Sequence, residues 1–290
     1  MKLKKVKEFI IEKIIFVSGT ISIIFVVLIF IFLLKEGISF FKIVPLNEFL
    51  LEKHWYPISD PPKFGILPLI LGSLLVTLGA TIISVPFGIA SALFIAELAS
   101  PKIREFLKTG IELLAAIPSV VIGFIGMVTL VPLVKKIFHL PTGLTALSGS
   151  IMLAFMAIPT IVSIAEDAIA AVPKQYKEGA LALGATRWQT MYRVTLIAGL
   201  PGIIAASMLG IGRVIGETMA VMMITGNAAV IPYTFLQPVR TMTATIAAEM
   251  GETVHGSEHY FALFAIGIVL FVITFIINFI ADIFLHRMRK

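Results

Sequence analysis

Six stretches of this chain are apolar almost without interruption, and its polar residues collect in the segments between them. The stretches run roughly over 14–34, 68–96, 111–134, 145–165, 200–224 and 262–285. Crossing the hydrocarbon core takes about 20 residues of helix, and each stretch reaches that length. Barrel strands alternate apolar with polar side chains, whereas these runs are continuous. The pattern predicts an all-α integral membrane protein with six transmembrane helices. Pro86 lies inside the second and longest stretch, so a kink or tilt is expected there. Pro118-Ser119 and Pro159-Thr160 interrupt the third and fourth. They are read first as helix kinks, although the backbone groups they free could also line a path. Ahead of the third stretch, Ser100-Pro101 pairs an N-cap residue with Pro at the first helical position. An amphipathic helix is expected to start there and run through IREFLKTGIELLAAIPS into the third span.

Composition supports that class. Hydrophobic residues make up 58% and charged residues 14% of the 290, and the mean hydropathy is +1.02. Soluble domains carry about 25% charged residues. The net charge of +6 is informative through its placement. With the N-terminus inside, the inner segments hold 15 of the 23 Lys and Arg, the outer loops hold 7, and Arg213 is the one remaining. This excess places both termini in the cytoplasm. It is a topology signal and not a nucleic-acid surface. The first apolar run, about 21 residues, exceeds a signal-peptide core of about 7–15 and has no small-residue cleavage site after it. An uncleaved signal anchor is expected. Cysteine is absent, which excludes disulfides and thiolate metal sites. No soluble domain, low-complexity tract or internal repeat stands out.

Nothing in the chain has the pattern of an active site for covalent chemistry. There is no G-x-S-x-G, no helical His/Glu metal pair and no phosphate-cradling GxxxxGK[ST]. His255 and His259, near Glu252 and Glu258, read as solvated loop residues, with a metal site as the rival reading. His54, Trp55 and Tyr56 lie in the outer loop of about 35–67, where aromatics anchor the interface or meet an external partner. The loop of about 225–261 is polar enough to be partly re-entrant or to line a cavity.

Two constellations remain. In segment 173–195, Pro173 can start a short helix, Gln175 to Leu183 can continue it, and Gly184 can end it. Such a helix lies across the inner face, either as an ordinary loop element or as a docking element. Without a nucleotide-binding loop here, active transport would need ATP bound by another chain. The second constellation is Gly212-Arg213-Val214-Ile215-Gly216-Glu217-Thr218-Met219-Ala220. An arginine near the middle of an apolar stretch costs about 2.5–3.5 kcal/mol on insertion scales. Glu217, four residues on, is expected on the same helix face. The pair is either an internal ion pair that fixes packing or a guanidinium on an anion path tempered by a carboxylate. Gly212, Gly216 and Ala220 form a small-residue stripe suited to close helix approach, where a second chain could close the path.

Glu178-Gly179-Ala180, Gly184 and Val194-Thr195-Leu196 resemble the EAA–Gly loop of ABC-importer permeases. Gly179 replaces the usual Ala, and Ile197 stands where the pattern has Pro, the nearest being Pro201. GIGRVIGETMAVMMITGN, LLAAIPSVVIGFIG, IPTIVSIAEDAIAAVP and PVRTMTATIAAEMG resemble the PstC-type permeases of bacterial phosphate ABC importers. The Met219-Ala220-Val221 continuation and Gly226-Asn227 favour that subfamily over the PstA-type companion.

The resemblance implies a type I ABC importer permease fold with a cytoplasmic coupling helix, in the inner (cytoplasmic) membrane. It divides the chain into an anchor helix and outer loop (1–67) and a permease domain (68–290), with its coupling loop at about 173–195. Implied partners are a PstA-like second permease, a cytoplasmic ATPase dimer, an extracytoplasmic phosphate-binding protein, phosphate and membrane lipid. No nucleic acid is implied, and no catalysis, metal or cofactor on this chain, since ATP and Mg belong to the ATPase. Arg213 and Glu217 match the family's phosphate-passage positions, with Thr218 and Asn227 chosen as polar neighbours. Glu178, Gly179, Ala180, Gly184 and Arg187 would face the ATPase. The rival readings are a permease for sulfate or molybdate and a non-transporting membrane scaffold or sensor.

Overall fold

The computed structural model describes residues 2–288 of the chain; Arg289 and Lys290, counted above with the inner segments, lie outside them. A long helix α1 (Lys2–Phe40) leads into α2 (Leu46–Leu51) and a small antiparallel hairpin, β1 (Trp55–Tyr56) with β2 (Lys63–Phe64), in which Trp55 faces Phe64. Then follow α3 (Leu67–Leu93), α4 (Pro101–Ala116), α5 (Ser119–Ile137) and α6 (Ala146–Ala170). Two short helices, α7 (Lys174–Ala182) and α8 (Arg187–Thr190), precede α9 (Leu196–Gly216). The chain ends with α10 (Met219–Ile224), α11 (Met242–Glu249) and α12 (Glu258–Met288). Single wide π turns, Phe94–Leu98 and Met191–Thr195, extend α3 and join α8 to α9.

Among the described residues six helices are long and apolar enough to cross a membrane: Phe9–Phe40, Leu67–Leu98, Ser119–Ile137, Ala146–Ala170, Arg187–Gly216 and Glu258–Ile280. Two expected spans have different outlines. The third is shorter, because the amphipathic helix α4 ends at Ala116, Ile117 is extended and Pro118 caps a separate α5. Pro118 has no N–H to continue the α4 ladder, so the chain breaks there. The stretch 200–224 is two helices. α9 starts earlier, continuous with α8, and stops at Gly216, where Glu217 turns extended (φ −70°, ψ 132°). By contrast, α3 continues through Pro86 and α6 through Pro159.

Hydrocarbon gives apolar helices no reason to associate, so close backbone approach has to hold the bundle. Ile161 of α6 shows how. A Cβ added to Gly88 of α3 would lie 2.7 Å from it, and one added to Gly210 of α9 would lie 2.4 Å from it. The side chain is thus wedged between two bare backbones, locking α3, α6 and α9 at one level. Ser150 of α6 also donates to the Val76 carbonyl of α3 at 3.2 Å. Around these contacts lies the central core, with Val76, Ile122, Leu153, Val214, Val221 and Ile224. A second apolar cluster gathers Phe40, Phe49, Trp55, Phe64, Leu263 and Ile266, and seats α2 and the hairpin on α12. Helix α1 touches the bundle mainly along α12, as in the 4.7 Å ring contact of Phe30 with Phe271. The rest of its apolar surface is exposed, as expected of a lipid-facing anchor.

Candidate functional site

Arg213 occupies the last turn of α9, where a cation complements the partial negative charge of a helix C-terminus. The Gly210–Ile161 contact brings that turn against the middle of α6. Arg213 Nη1 donates to Thr160 Oγ1 at 3.0 Å. The guanidinium is exposed, and Gly212 and Gly216 beside it also face open space. The stripe expected from Gly212, Gly216 and Ala220 is therefore not a helix face. Ala220 lies past the break and packs against Gly123 of α5.

Glu217 departs from expectation in the same way. Residues four apart share a face only on a continuous helix, and the chain turns at Glu217. Among the described residues no ion pair joins it to Arg213. Its Oε1 accepts from the Ala220 N–H at 3.4 Å, and its carbonyl accepts from Thr243 Oγ1 at 2.9 Å. The two residues still border one narrow crevice with Leu153, Met156, Ala157 and Val214. Thr218 spends its hydroxyl on the Gly216 carbonyl at 3.2 Å. Asn227, at the other end of α10, adopts φ 48° and donates to the Met222 carbonyl at 2.8 Å. It closes that helix and is not among the residues lining the crevice.

A helix interrupted beside the middle of a spanning neighbour, α6, is itself informative. Irregular backbone persists inside a membrane only where protein or a hydrated cavity satisfies it. Here Thr243 of α11 and the Glu217 carboxylate supply partners. Loop 225–241 folds back onto the bundle, with Val239 N–H donating to the Thr225 carbonyl and Ala146 N–H to the Gln237 carbonyl.

The other predicted site forms a separate surface. Pro173 precedes α7, and Gly184, at φ 85°, ends it with N–H bonds from Gly184 to Leu181 and from Ala185 to Ala180. Positive φ at this point is what glycine permits at low cost. Thr186 and Gln189 then form a reciprocal capping box that starts α8. Glu178, Gly179, Gly184 and Arg187 are exposed and Ala180 is half-buried. Alongside them Leu183 (90%) and Trp188 (65%) stand in solvent, an apolar presence no isolated polar loop needs. A cleft of about 340 Å³ opens behind, between Leu181, Trp188, Met191 and the Glu97–Lys177 ion pair, which ties α7 to the end of α3.

Residues 84–290 match the family described as binding-protein-dependent transport system inner membrane component. The chain belongs to this family. Among its relatives is a probable ABC transporter permease, YqgH, of Bacillus subtilis, 42% identical over 85% of this chain and 80% of that one. The phosphate transport system permease PstC of Mesorhizobium japonicum is 37% identical over 83% of this chain and 78% of its own. A probable PstC of Methanocaldococcus jannaschii is 32% identical over 99% and 96%. Of the solved structures, the bacterial alginate ABC transporter, in complex with a periplasmic protein bound to alginate pentasaccharide, superposes with a TM-score of 0.67. It is 18% identical and covers 92% of each chain, a likeness of fold alone. The chain has the type I ABC importer permease fold and is a multi-pass membrane protein.

Two charged networks of this permease were not legible beforehand. Glu166 of α6, nearly fully buried, accepts from Arg104 and, at 2.8 Å, from Lys108, both on α4. Lys108 also reaches Asp167 at 3.0 Å. Hydrogen bonds that it donates to these carboxylates, to Glu166 foremost, hold the Lys108 ammonium above its ordinary pKa. At the opposite end, Glu249 accepts from Trp55 Nε1 (3.0 Å) and Arg240 Nη1 (2.6 Å) and pairs with His259 Nε2 (2.8 Å). His259 is therefore a structural partner of Glu249, while His255 packs on Tyr260 at 4.7 Å. The solvated-loop expectation for His259 is overturned because α11 folds beside α12. Sequence offered only isolated charges for either network.

Proposed function

We propose that this permease forms half of the phosphate pathway of an ATP-driven importer, with both termini in the cytoplasm of a bacterial cell. A PstA-like second permease covers the open side of α9, where Arg213 is exposed and a Cβ on Gly212 or Gly216 would meet nothing among the described residues. A cytoplasmic ATPase dimer completes the system and docks on this chain at 173–195, through exposed Leu183, Trp188 and the Glu178–Gly184 turn. An extracytoplasmic binding protein delivers phosphate at the opposite end. ATP and its Mg are bound by the ATPase, and residues 68–290 act as the permease unit behind the anchor of 1–67. Closure of the ATPase pair pushes α7 and α8, and α9, continuous with α8, carries that movement to Arg213 beside the middle of α6.

The observation that carries this reading is an exposed guanidinium at mid-bundle with no carboxylate paired to it among the described residues, set beside a helix break. A positive charge so placed is costly in lipid unless an anion or water meets it. Glu217, in the same crevice, keeps anion affinity low enough for release. Thr218 and Asn227 shape the break and support the path indirectly. In vesicles containing the complete complex, Arg213→Gln is expected to cut phosphate uptake at least about thirtyfold, equivalent to about 2 kcal/mol. Assembly and insertion should be retained. Normal uptake by the inserted variant refutes the path role, and sulfate uptake exceeding phosphate uptake in the wild type refutes the cargo.

A further inference from the structure

We infer that Thr160 is an anion-ligating residue of the same path, acting with Arg213; this rests on the proposed role of Arg213. Hydroxyls inside membrane helices ordinarily return their proton to the carbonyl four residues back. This chain does so repeatedly: Thr129 to Ile125 at 2.7 Å, Ser150 to Ala146 at 2.8 Å, Ser207 to Ile203 at 2.9 Å, Thr225 to Val221 at 2.9 Å and Thr274 to Leu270 at 2.7 Å. Thr160 does not. Its oxygen accepts from Arg213 Nη1 at 3.0 Å, and among the described residues no acceptor faces its own proton. The side chain is half-buried, beside an exposed guanidinium.

Two consequences follow for an anion at this point. The Thr160 oxygen fixes one edge of the guanidinium, so the remaining N–H groups of Arg213 point in a set direction and lose little freedom on binding. The unspent O–H then donates to the same anion. An oxyanion has several acceptor oxygens, and charge-assisted bonds to them are stronger than neutral ones. Arg213 and Thr160 together supply donors on adjoining helices, α9 and α6, held in register by Ile161 between Gly210 and Gly88. Movement of α9 against α6 therefore separates the two donors, and the anion is held well only while they are together.

The test uses the complete complex in vesicles, with three variants compared for phosphate uptake and for ATP hydrolysis stimulated by the phosphate-loaded binding protein. Thr160→Val keeps the shape and removes the hydroxyl. It is expected to lower maximal uptake about tenfold, the effect of losing one hydrogen bond to a charged group, with stimulated ATP hydrolysis within about twofold of wild type. Thr160→Ser restores the hydroxyl and should recover uptake to within about twofold. Wild-type uptake in Thr160→Val overturns the assignment. So does a Thr160→Ser variant as impaired as Thr160→Val, or loss of assembly in Thr160→Val, which would make the group a packing element. Arg213→Gln separates the two levels. If it abolishes uptake while Thr160→Val is normal, only Thr160 is wrong. If it transports normally, the path reading falls and Thr160 with it.

Discussion

Where a charge can relax decides what the loss of its partner costs. The Glu166 side chain is 2% exposed, whereas Arg104 and Lys108 are 39% and 37% exposed. In Glu166→Gln both cations can turn to water, so the expected loss is about 1 kcal/mol. Removing both cations instead strands a buried carboxylate, at about 3–5 kcal/mol. R104Q/K108Q should therefore lower the thermal midpoint of the solubilised complex more than E166Q, and the reverse order would contradict the burial of Glu166 beneath α4. The same reasoning separates Arg213 from Glu217. Read along the chain they are one turn apart, and they form a plausible pair. Folded, each has a partner elsewhere, Thr160 for the one and the first turn of α10 for the other. Nothing local to residues 212–220 announces Thr160, 53 positions away.

For the elements, legibility followed the range of the forces involved. The short helix over 174–182 was readable because Pro173 and Gly184 act on their own φ angles, needing no distant neighbour. The break after Gly216 was not, because long-range bonds stabilise it, Thr243 to the Glu217 carbonyl among them. An apolar run reports average transfer energy and is blind to the direction of the backbone. Helix registry is equally hidden. Gly210→Ala would set a Cβ 2.4 Å from an Ile161 side chain already pressed against Gly88. Overpacking of this kind costs about 1–3 kcal/mol. The variant should assemble poorly, and Ile161→Ala, which removes the Cγ1 and Cδ1 that the new Cβ meets, should restore it, since the two sites are coupled through contact. Additive effects of the two substitutions would contradict the wedge.

For the molecule as a whole, the absence of cysteine makes the orientation in the membrane simple to measure. Ile58, 89% exposed, sits in the loop before α3, and Lys102, also exposed, lies just beyond the other end of that helix. In spheroplasts, Ile58→Cys is expected to react with a membrane-impermeant maleimide, and Lys102→Cys only after permeabilisation. The opposite labelling would invert the topology and remove α7 from any cytoplasmic ATPase. Labelling at both ends without permeabilisation would mean that the chain is not sealed in the bilayer.

By itself the sequence determined the membrane class, the six spanning helices, the family motif and the turn around Gly184. These depend on hydrophobic transfer, which adds up residue by residue, and on backbone preferences that act within one turn. Only the tertiary structure decided that the fifth apolar stretch is broken after Gly216, that Arg213 meets Thr160, that Glu166 is buried beneath α4, and that Glu249 joins Trp55 to His259 across 194 and 10 positions. Those partnerships exist because glycines at Gly88 and Gly210 let three helices approach around one isoleucine and because α11 folds back beside α12. Which side chains then face each other is set by the rotation and height of each helix, and hydropathy carries no record of either.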